Sequence, residues 1–251
     1  MHAVSVNRIL LKHTEVDSAG CATLVGRPLE HVREVLQVKE GNTLRVGLIN
    51  GPVGTARVER VYAGGVDIRC VWERELKRSG IDLILALPRP KVMRRLWSQI
   101  AMLGVDRLFL IRAEKVERYY FDSHVLDPEV YEPLLLTGVE QAGCTQLPKV
   151  SIEKQFKPFI EEKIDALYPA THKWIADPSA NQLLISTVGD MQATDRVILA
   201  IGPEGGWTAY ERSRFKDVGF NPVGLGSRIL RSDTAVVSVL SLLQQMKEAR
   251  A

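Results

Sequence analysis

The first 72 residues alternate apolar and polar positions over short stretches, a pattern typical of half-buried strands. Between positions 43 and 49, leucine or valine stands at every second residue, and Asn50-Gly51 follows as a hairpin turn because both residues tolerate positive φ. Further strands are predicted at 6–11, 55–61 and 66–72, with one short helix at 29–38. Such closely spaced strands predict a compact β-barrel over residues 1–72.

From residue 81 onward, apolar strands alternate with helical segments. Strands are predicted at 81–87, 107–111, 197–201 and 221–225, and helices at 91–103, at 127–147, from residue 209 and at 234–247. This alternation indicates a parallel sheet covered by helices, so an α/β domain is predicted over 81–251. The charged segment 73–80 ends in glycine and is predicted to be a linker.

The composition, 45% apolar and 25% charged, is that of an ordinary soluble globular protein. No apolar run reaches the roughly 20 residues that span a bilayer, and the first residues lack the order of a signal peptide. We therefore expect a cytoplasmic protein without a membrane partner. The three cysteines and five histidines show no metal-ligand spacing, so no metal is expected. The net charge of +3 is compatible with an RNA partner but does not require one.

A glycine-rich loop, Gly202-Pro203-Glu204-Gly205-Gly206, follows the apolar strand at 197–201. Thr208 and Glu211 have the spacing of a capping box, which predicts a helix from residue 209. Strand, loop and helix N-terminus together form a common ligand-binding arrangement. The loop is neither a dinucleotide fingerprint nor a Walker loop, and its glutamate would repel a pyrophosphate. A ligand that is neutral or cationic at its reactive centre, such as a sulfonium, fits better; a tight turn with a solvated glutamate is the alternative.

A second loop, residues 226–232, follows the short strand predicted at 221–225. Its glycine allows close approach of the backbone to a ligand, and Arg228 and Arg231 bring positive charge. Buried arginines need an anion, which is either a ligand or an internal carboxylate such as Asp233 or Glu204. The helix at 234–247, capped by Ser232 or Asp233, is apolar on most of its surface and is expected to be buried in the core or against a partner subunit.

A cluster of four cations opens the predicted helix at 91–103: Arg89, Lys91, Arg94 and Arg95. The three helical cations lie off the apolar stripe of this helix. They are suited to contacts with RNA phosphates, although a solvated basic face is the commoner explanation of such a run.

No catalytic triad, paired carboxylates or metal-ligand set is recognisable in the sequence. Methyl transfer from a sulfonium needs none of these, because the leaving group is already activated by its charge. The enzyme must chiefly align donor and acceptor and help the acceptor lose a proton.

The two loop motifs together, IGPEGG at 201–206 and LGSRILRSDTA at 225–235, resemble those of the SPOUT class of methyltransferases. In particular, the chain resembles the ribosomal RNA small subunit methyltransferase E family, which methylates N3 of a uridine in small-subunit (16S) ribosomal RNA. Segments 31–46, 91–105 and 140–143 are similar to other parts of that family, so the resemblance covers nearly the whole chain.

The resemblance implies an N-terminal PUA-like, RNA-binding β-barrel and a C-terminal SPOUT α/β domain with a trefoil knot. It also implies S-adenosyl-L-methionine (SAM) as cofactor, a homodimer whose C-terminal helix lies near the dimer interface, and ribosomal RNA or the assembled small subunit as partner. The residues expected to bind the cofactor are Gly202, Pro203, Gly205, Gly206, Leu225, Gly226, Ile229 and Leu230. The residues expected to bind RNA are Arg89, Lys91, Arg94, Arg95 and Arg228. The catalytic candidates are Arg231, which would stabilise the uracil anion, and Glu204, which would position Arg231 or take up the proton.

The chain departs from the family pattern in three places. Cys144-Thr145 stands where an arginine is common, Asp177-Pro178 where His-Pro is frequent, and Ser232-Asp233 where Thr-Glu is usual. The first change concerns an RNA or catalytic contact. Two alternatives therefore stay open: a SPOUT enzyme for another RNA nucleotide, and a ribosome-assembly factor that binds RNA without turnover.

Overall fold

The computed structural model describes residues 8–168, 172–187, 189 and 191–250, and these divide into two compact units. The first unit comprises residues up to 77 together with 136–147, and the second comprises 78–135 and 148 onward. The division at 77/78 falls inside the segment 73–80. Residues 136–147, which the sequence assigned to the second domain, cluster with the first unit instead.

The first unit is built on a five-stranded sheet with the order β1-β3-β4-β5-β2. Its strands are β1 (Ile9–Leu11), β2 (Cys21–Leu24), β3 (Thr43–Leu48), β4 (Pro52–Tyr62) and β5 (Gly65–Glu75), and helix α1 (Gly26–Glu30) continues as a π-helical turn through Val35. All pairs are antiparallel except β1 with β3. Among the described residues the edge strands β1 and β2 are not paired with each other, so the sheet is not a closed barrel.

The predicted strands of this unit are confirmed, with shifted ends. Strand β5 extends through Glu75, so the first residues of the predicted linker are strand. The Asn50-Gly51 turn is confirmed: Asn50 has a φ of 58°, and the Gly51 amide donates to the carbonyl of Leu48 at the end of β3. Residues 6 and 7 of the strand predicted at 6–11 lie outside the described residues.

The segment 136–147 is held in the first unit by buried hydrogen bonds. The Thr145 hydroxyl donates to the Gly51 carbonyl at 2.7 Å, and the Asn50 amide donates to the Thr145 carbonyl at 2.7 Å. Arg8 donates through Nε to the Gly143 carbonyl at 3.0 Å. The hairpin turn of this unit therefore serves as the anchor for a segment distant in sequence.

Replacing Thr145 by valine is expected to lower the free energy of unfolding by about 1 kcal/mol, since the shape of the side chain is kept while the buried Gly51 carbonyl loses its donor. Urea denaturation of both proteins measures the change. Thr43→Val, at an exposed position of β3, is the control and should leave stability nearly unchanged. Equal stability of the Thr145 variant and the native protein would show that this hydrogen bond does not hold the segment.

The second unit contains a six-stranded sheet, all parallel, with the order β11-β9-β10-β6-β7-β8. Its strands are β6 (Ile81–Ala86), β7 (Val105–Ile111), β8 (Lys149–Glu153), β9 (His172–Ala176), β10 (Val197–Ile201) and β11 (Asn221–Val223). Every residue of β6 and β10 is buried, as expected for central strands covered on both faces. The predicted parallel α/β domain is confirmed.

The helices of this chain that follow α1 are α2 (Pro90–Met102), α3 (Pro128–Gln141), α4 (Phe156–Pro158), α5 (Asp165–Leu167), α6 (Ala209–Asp217) and α7 (Ser232–Glu248). A π-helical turn, Phe159–Ile164, lies between α4 and α5. Helix α2 packs against α7, and α7 packs on β10. No helix in the described part of the chain is both long enough and apolar enough to cross a membrane.

Two predictions about helix starts have different outcomes. The capping box of Thr208 and Glu211 is confirmed at the start of α6. The predicted cap of the last helix is wrong: α7 begins at Ser232, its N-cap is Arg231, and no side chain caps it. The Ser232 hydroxyl instead donates to the Gly202 carbonyl at 3.1 Å.

The last helix is less uniformly buried than its sequence suggests. Its inner face is buried at Ala235, Val236, Val239, Leu240, Leu243 and Met246. Val237, on the opposite face, is 36% exposed. An apolar side chain thus remains uncovered on α7.

The amino ends of the central strands are tied by a buried carboxylate. Asp82, at the start of β6, accepts from the Tyr168 hydroxyl and, at 2.6 Å, from Arg196 just before β10. Burial raises the pKa of the Asp82 carboxyl, and the two hydrogen bonds oppose that rise. This contact fixes β6 against β10 at the sheet edge opposite the cavity described next.

Candidate functional site

A cavity lies at the carboxyl edge of the second sheet, where β9, β10 and β11 end side by side. The carboxyl ends of neighbouring parallel strands are where open α/β sheets bind ligands. The loops after these three strands and the starts of α6 and α7 line the cavity. The lining residues are Ala176, Asp177, Pro178, Ile201, Gly202, Pro203, Glu204, Gly206, Trp207, Arg212, Leu225, Gly226, Arg228, Ile229, Leu230, Ser232 and Ala235.

The two loop motifs singled out in the sequence meet at this cavity. The residues from the predicted sets that line it are Gly202, Pro203, Glu204, Gly206, Leu225, Gly226, Arg228, Ile229 and Leu230. The hydrogen bond from Ser232 to Gly202 joins the loops directly. Gly205 and Arg231 are not among the lining residues, and neither are the four cations at the start of α2.

The glycines of the loops are required for different reasons. Gly226 has a φ of +115°, which side chains of L-residues rarely adopt, and a Cβ there would meet no atom within 4 Å. Gly202 is needed for packing, because a Cβ would lie 3.0 Å from the indole of Trp207. The indole Nε1 is buried without a hydrogen-bond partner among the described residues. Gly202 therefore makes room for Trp207 in the cavity wall.

A buried carboxylate holds the 202–208 loop in place. Glu211 accepts from the amide of Thr208 at 2.8 Å and from its hydroxyl at 3.1 Å, and the Glu211 amide donates to the Thr208 hydroxyl oxygen at 3.3 Å, which completes the capping box. Its other oxygen accepts from the amide of Glu114, in the loop after β7, at 2.8 Å. Lys115 donates from Nζ to the Gly205 carbonyl at 2.6 Å. The loop after β7 thus clamps the loop after β10.

Another acid in the cavity wall was recognised in the sequence only as a departure from the family pattern. Asp177, directly after β9, is buried, and its carboxylate accepts from the amide and hydroxyl of Ser179. Arg212 lies 3.7 Å from the Asp177 carboxylate and donates to the Trp207 carbonyl at 2.9 Å. The position of Asp177 after the short apolar run at 174–176 was the available signal, because carboxyl ends of parallel strands converge.

The acids Glu204 and Asp233 do not pair with the arginines of the 226–232 loop. Glu204 lies 3.7 Å from Arg89, the N-cap of α2, and Asp233 lies 3.1 Å from Arg95 within that helix. Arg228 and Arg231 are exposed and have no ion pair among the described residues. Internal pairing of these two arginines with Glu204 or Asp233 is therefore wrong, and both guanidinium groups face solvent.

The geometry is that of a ligand cavity lined by both apolar and acidic groups, beside a cationic surface. Within the described ranges no group of three His, Cys, Asp or Glu side chains is placed to hold a metal ion. The acids at the cavity suit a ligand with positive charge or hydroxyl groups, and the cations outside it suit a polyanion.

Comparisons with known proteins agree with this geometry. The profile of the RNA methyltransferase domain family matches residues 74–244. The ribosomal RNA small subunit methyltransferase E of Treponema pallidum is 31% identical over 244 residues, covering 95% of this chain and 90% of that protein. The same-named protein of Bacillus subtilis is 22% identical and covers 96% of both chains.

Solved structures share the fold. A probable rRNA-methyltransferase from Porphyromonas gingivalis has a TM-score of 0.76 at 20% identity, covering 97% of this chain and 100% of that one. The ribosomal RNA small subunit methyltransferase E of Neisseria gonorrhoeae, solved bound to S-adenosyl methionine, has a TM-score of 0.74 at 22% identity, covering 95% and 98%. The extent of these matches shows that the chain belongs to the ribosomal RNA small subunit methyltransferase E family.

Proposed function

We propose that this protein transfers a methyl group from SAM to N3 of a uridine in small-subunit ribosomal RNA. The observation that carries the proposal is the meeting of the loops 202–206 and 225–230 around one cavity, with two carboxylates in its wall. This arrangement is what the family resemblance requires of a cofactor site. The base and the position of the methyl group follow from the resemblance.

The residues of the cavity fit SAM. Ile201, Leu225 and Leu230 offer apolar surface to an adenine ring, and the buried Trp207 Nε1 is a donor without a partner. The acids Glu204 and Asp177 suit a sulfonium or ribose hydroxyls. When bound, SAM supplies an activated methyl group, and the predicted cofactor residues that line this cavity would hold it there.

The chain's own residues would act on the uridine. The N3–H bond must break, and we assign its proton to the Glu204 carboxylate, whose exposed ion pair with Arg89 is weak enough to open. Arg231 would stabilise the negative charge that spreads over the uracil ring. Arg228, with Arg89, Lys91, Arg94 and Arg95, would contact RNA phosphates.

The other features implied by the family belong to the same proposal. They are a PUA-like first domain that includes residues 136–147, a methyltransferase domain formed by the second unit, a trefoil knot in that domain, and a cytoplasmic homodimer. The exposed Val237 on α7 supports a partner subunit at that face. The naked RNA and the assembled small subunit are the two substrates to compare.

Calorimetric titration with SAM and mass-spectrometric mapping of methylated uridines test the proposed function. We expect SAM binding, and N3-methyluridine in small-subunit RNA treated with the protein and SAM. Absence of the modified base from both naked RNA and assembled subunits would refute the target. Absence of SAM binding, with or without RNA, would favour a non-catalytic binding protein.

Replacing Gly226 by alanine is expected to weaken SAM binding about tenfold. With a side chain the free loop relaxes out of the φ of +115°, and SAM binding must restore that conformation at a cost of about 1–2 kcal/mol. Calorimetry with SAM measures the change. Gly41→Ala is the matched control, since Gly41 also has positive φ and open space around it but lies in the first unit. Equal SAM affinity of the two variants would contradict a role for Gly226 in the cavity.

A further inference from the structure

An exposed tyrosine lies in the loop after β7, outside the cavity. Tyr119 is 64% exposed although it belongs to a short 3₁₀ helix, Arg118–Asp122. The backbone there is fixed: the Tyr120 amide donates to the Glu117 carbonyl at 3.1 Å, and the buried Phe121 anchors the turn. Single exposed apolar side chains are common on protein surfaces, so the exposure of Tyr119 is informative only together with its neighbours.

The Tyr119 ring packs against a second tyrosine. Tyr120 packs against it edge to face, with ring centroids 4.9 Å apart and an interplanar angle of 84°. Tyr120 is half-buried. Burial raises the pKa of its hydroxyl, as does the contact with Tyr119, and the nearby positive charge of Arg89 opposes the rise. The two tyrosines thus form a pre-oriented aromatic surface, which we call the Tyr119 platform.

The loop that carries the platform contacts the loop at 202–208. Lys115, four residues before Tyr119, donates to the carbonyl of Gly205 at 2.6 Å. The amide of Glu114 donates to Glu211, whose carboxylate also accepts from the amide of Thr208 at 2.8 Å. RNA whose target base meets SAM at the cavity can therefore continue onto the platform.

The charge of this part of the second unit suits a polyanion. Arg118 precedes Tyr119 directly, Lys91 and Arg94 belong to α2, and Arg228 and Arg231 belong to the loop before α7 and its N-cap. Each of these cations is exposed and has no salt bridge among the described residues. The loop itself also carries the acids Glu117 and Asp122, so attraction to phosphate comes from the surrounding cations and the platform contributes stacking. Single-stranded nucleic acid is bound by this combination of a cationic track and an exposed aromatic ring.

We propose that the Tyr119 platform stacks with an unpaired base of the RNA substrate, at a nucleotide neighbouring the target, with Arg118 contacting the adjoining phosphate. This proposal rests on the proposed function, since it takes the target nucleotide to meet SAM at the cavity. It adds a requirement on the substrate: the RNA must be single-stranded on at least one side of the target. Stacking is tolerant of sequence, so the platform selects for unpaired structure and not for a particular base.

The test is RNA affinity, measured by fluorescence anisotropy with a labelled small-subunit rRNA fragment that contains the target. Tyr119→Ala is expected to weaken binding about tenfold, since loss of one stacked base costs about 1–3 kcal/mol. Tyr119→Phe and Tyr119→Trp keep a ring and are expected to bind within about twofold of the native protein. SAM affinity should be equal in all three variants.

Tyr210→Ala is the matched control. Tyr210 is an exposed tyrosine of the second unit, like Tyr119, but it belongs to α6. Arg214 lies over its ring at 5.6 Å from the ring centroid, and its aromatic neighbour is Phe156. This variant should bind RNA like the native protein. A plot of the logarithm of RNA affinity against the logarithm of salt concentration separates the two contacts. Arg118→Gln is expected to make its slope shallower by about 1, the value of one phosphate contact, whereas Tyr119→Ala should leave the slope unchanged.

The outcomes separate this proposal from the proposed function. If the native protein methylates the RNA but Tyr119→Ala binds it as tightly as Tyr210→Ala does, the platform is refuted alone. If Tyr119→Ala converts a dimer to a monomer in sedimentation experiments, the ring covers a second copy of the chain and the platform is likewise refuted. Tyr119-dependent RNA binding by a native protein that methylates no uridine would support the platform and refute the proposed target.

Discussion

Replacing Arg231 by alanine is expected to lower the methylation rate about 100-fold and to leave SAM affinity within about twofold of the native value. Arg231 is exposed at the start of α7 and does not line the cavity, so its guanidinium is free to meet the RNA base. Loss of one charge-stabilising donor in the transition state costs about 100- to 1,000-fold in rate. Single-turnover methylation at saturating RNA and SAM measures this step without a contribution from binding.

Two further variants define the role of Arg231. Arg231→Lys keeps the charge and loses the planar fork of donors, so an intermediate rate is expected. Lys216→Ala, at an exposed position of α6, removes the same charge from a site without a proposed role and should react at the native rate. A native rate in Arg231→Ala with unchanged SAM affinity would remove Arg231 from the catalytic residues.

The local pattern of the sequence was sufficient to predict much of the second unit. Continuous apolar runs marked β6 and β10, and the spacing of Thr208 and Glu211 marked the start of α6. A parallel sheet brings the carboxyl ends of its strands to one edge, so the two glycine loops could be expected to meet there. Short-range rules are reliable here because each feature is set by neighbours along the chain.

Features that depend on distant residues were not predictable in this way. The pairing of Glu204 with Arg89 and of Asp233 with Arg95 joins segments more than 100 positions apart. The inclusion of 136–147 in the first unit depends on the buried Thr145, which has no local signature. Gly202 is predicted from the sequence only as a cofactor residue, whereas the packing of Trp207 gives it a separate reason. Such contacts are selected by tertiary packing, which periodicity does not record.

Glu211 combines a local role and a distant one, and its removal is expected to have the largest effect on the loop. Three donors of two segments point at its buried carboxylate: the Glu114 amide and the amide and hydroxyl of Thr208. In Glu211→Ala these three partly buried donors lose their acceptor, so we expect the free energy of unfolding to fall by about 2–4 kcal/mol. SAM binding should weaken as well, because the loop at 202–208 is no longer held to the loop after β7.

Urea denaturation and calorimetry with SAM measure these two effects. Glu211→Gln keeps one acceptor oxygen but turns an NH₂ group toward amide donors, so an intermediate loss of stability is expected. Glu248→Ala, at the exposed end of α7, removes the same charge and should change neither quantity. Lys115→Ala frees only the Gly205 carbonyl and should cost less than about 1 kcal/mol. The contrary outcome is that Glu211→Ala has the same urea midpoint as the native protein and binds SAM with the same affinity. The loop that carries Glu204 would then be positioned by other contacts, and the contact with the loop after β7 would have no part in shaping the cavity.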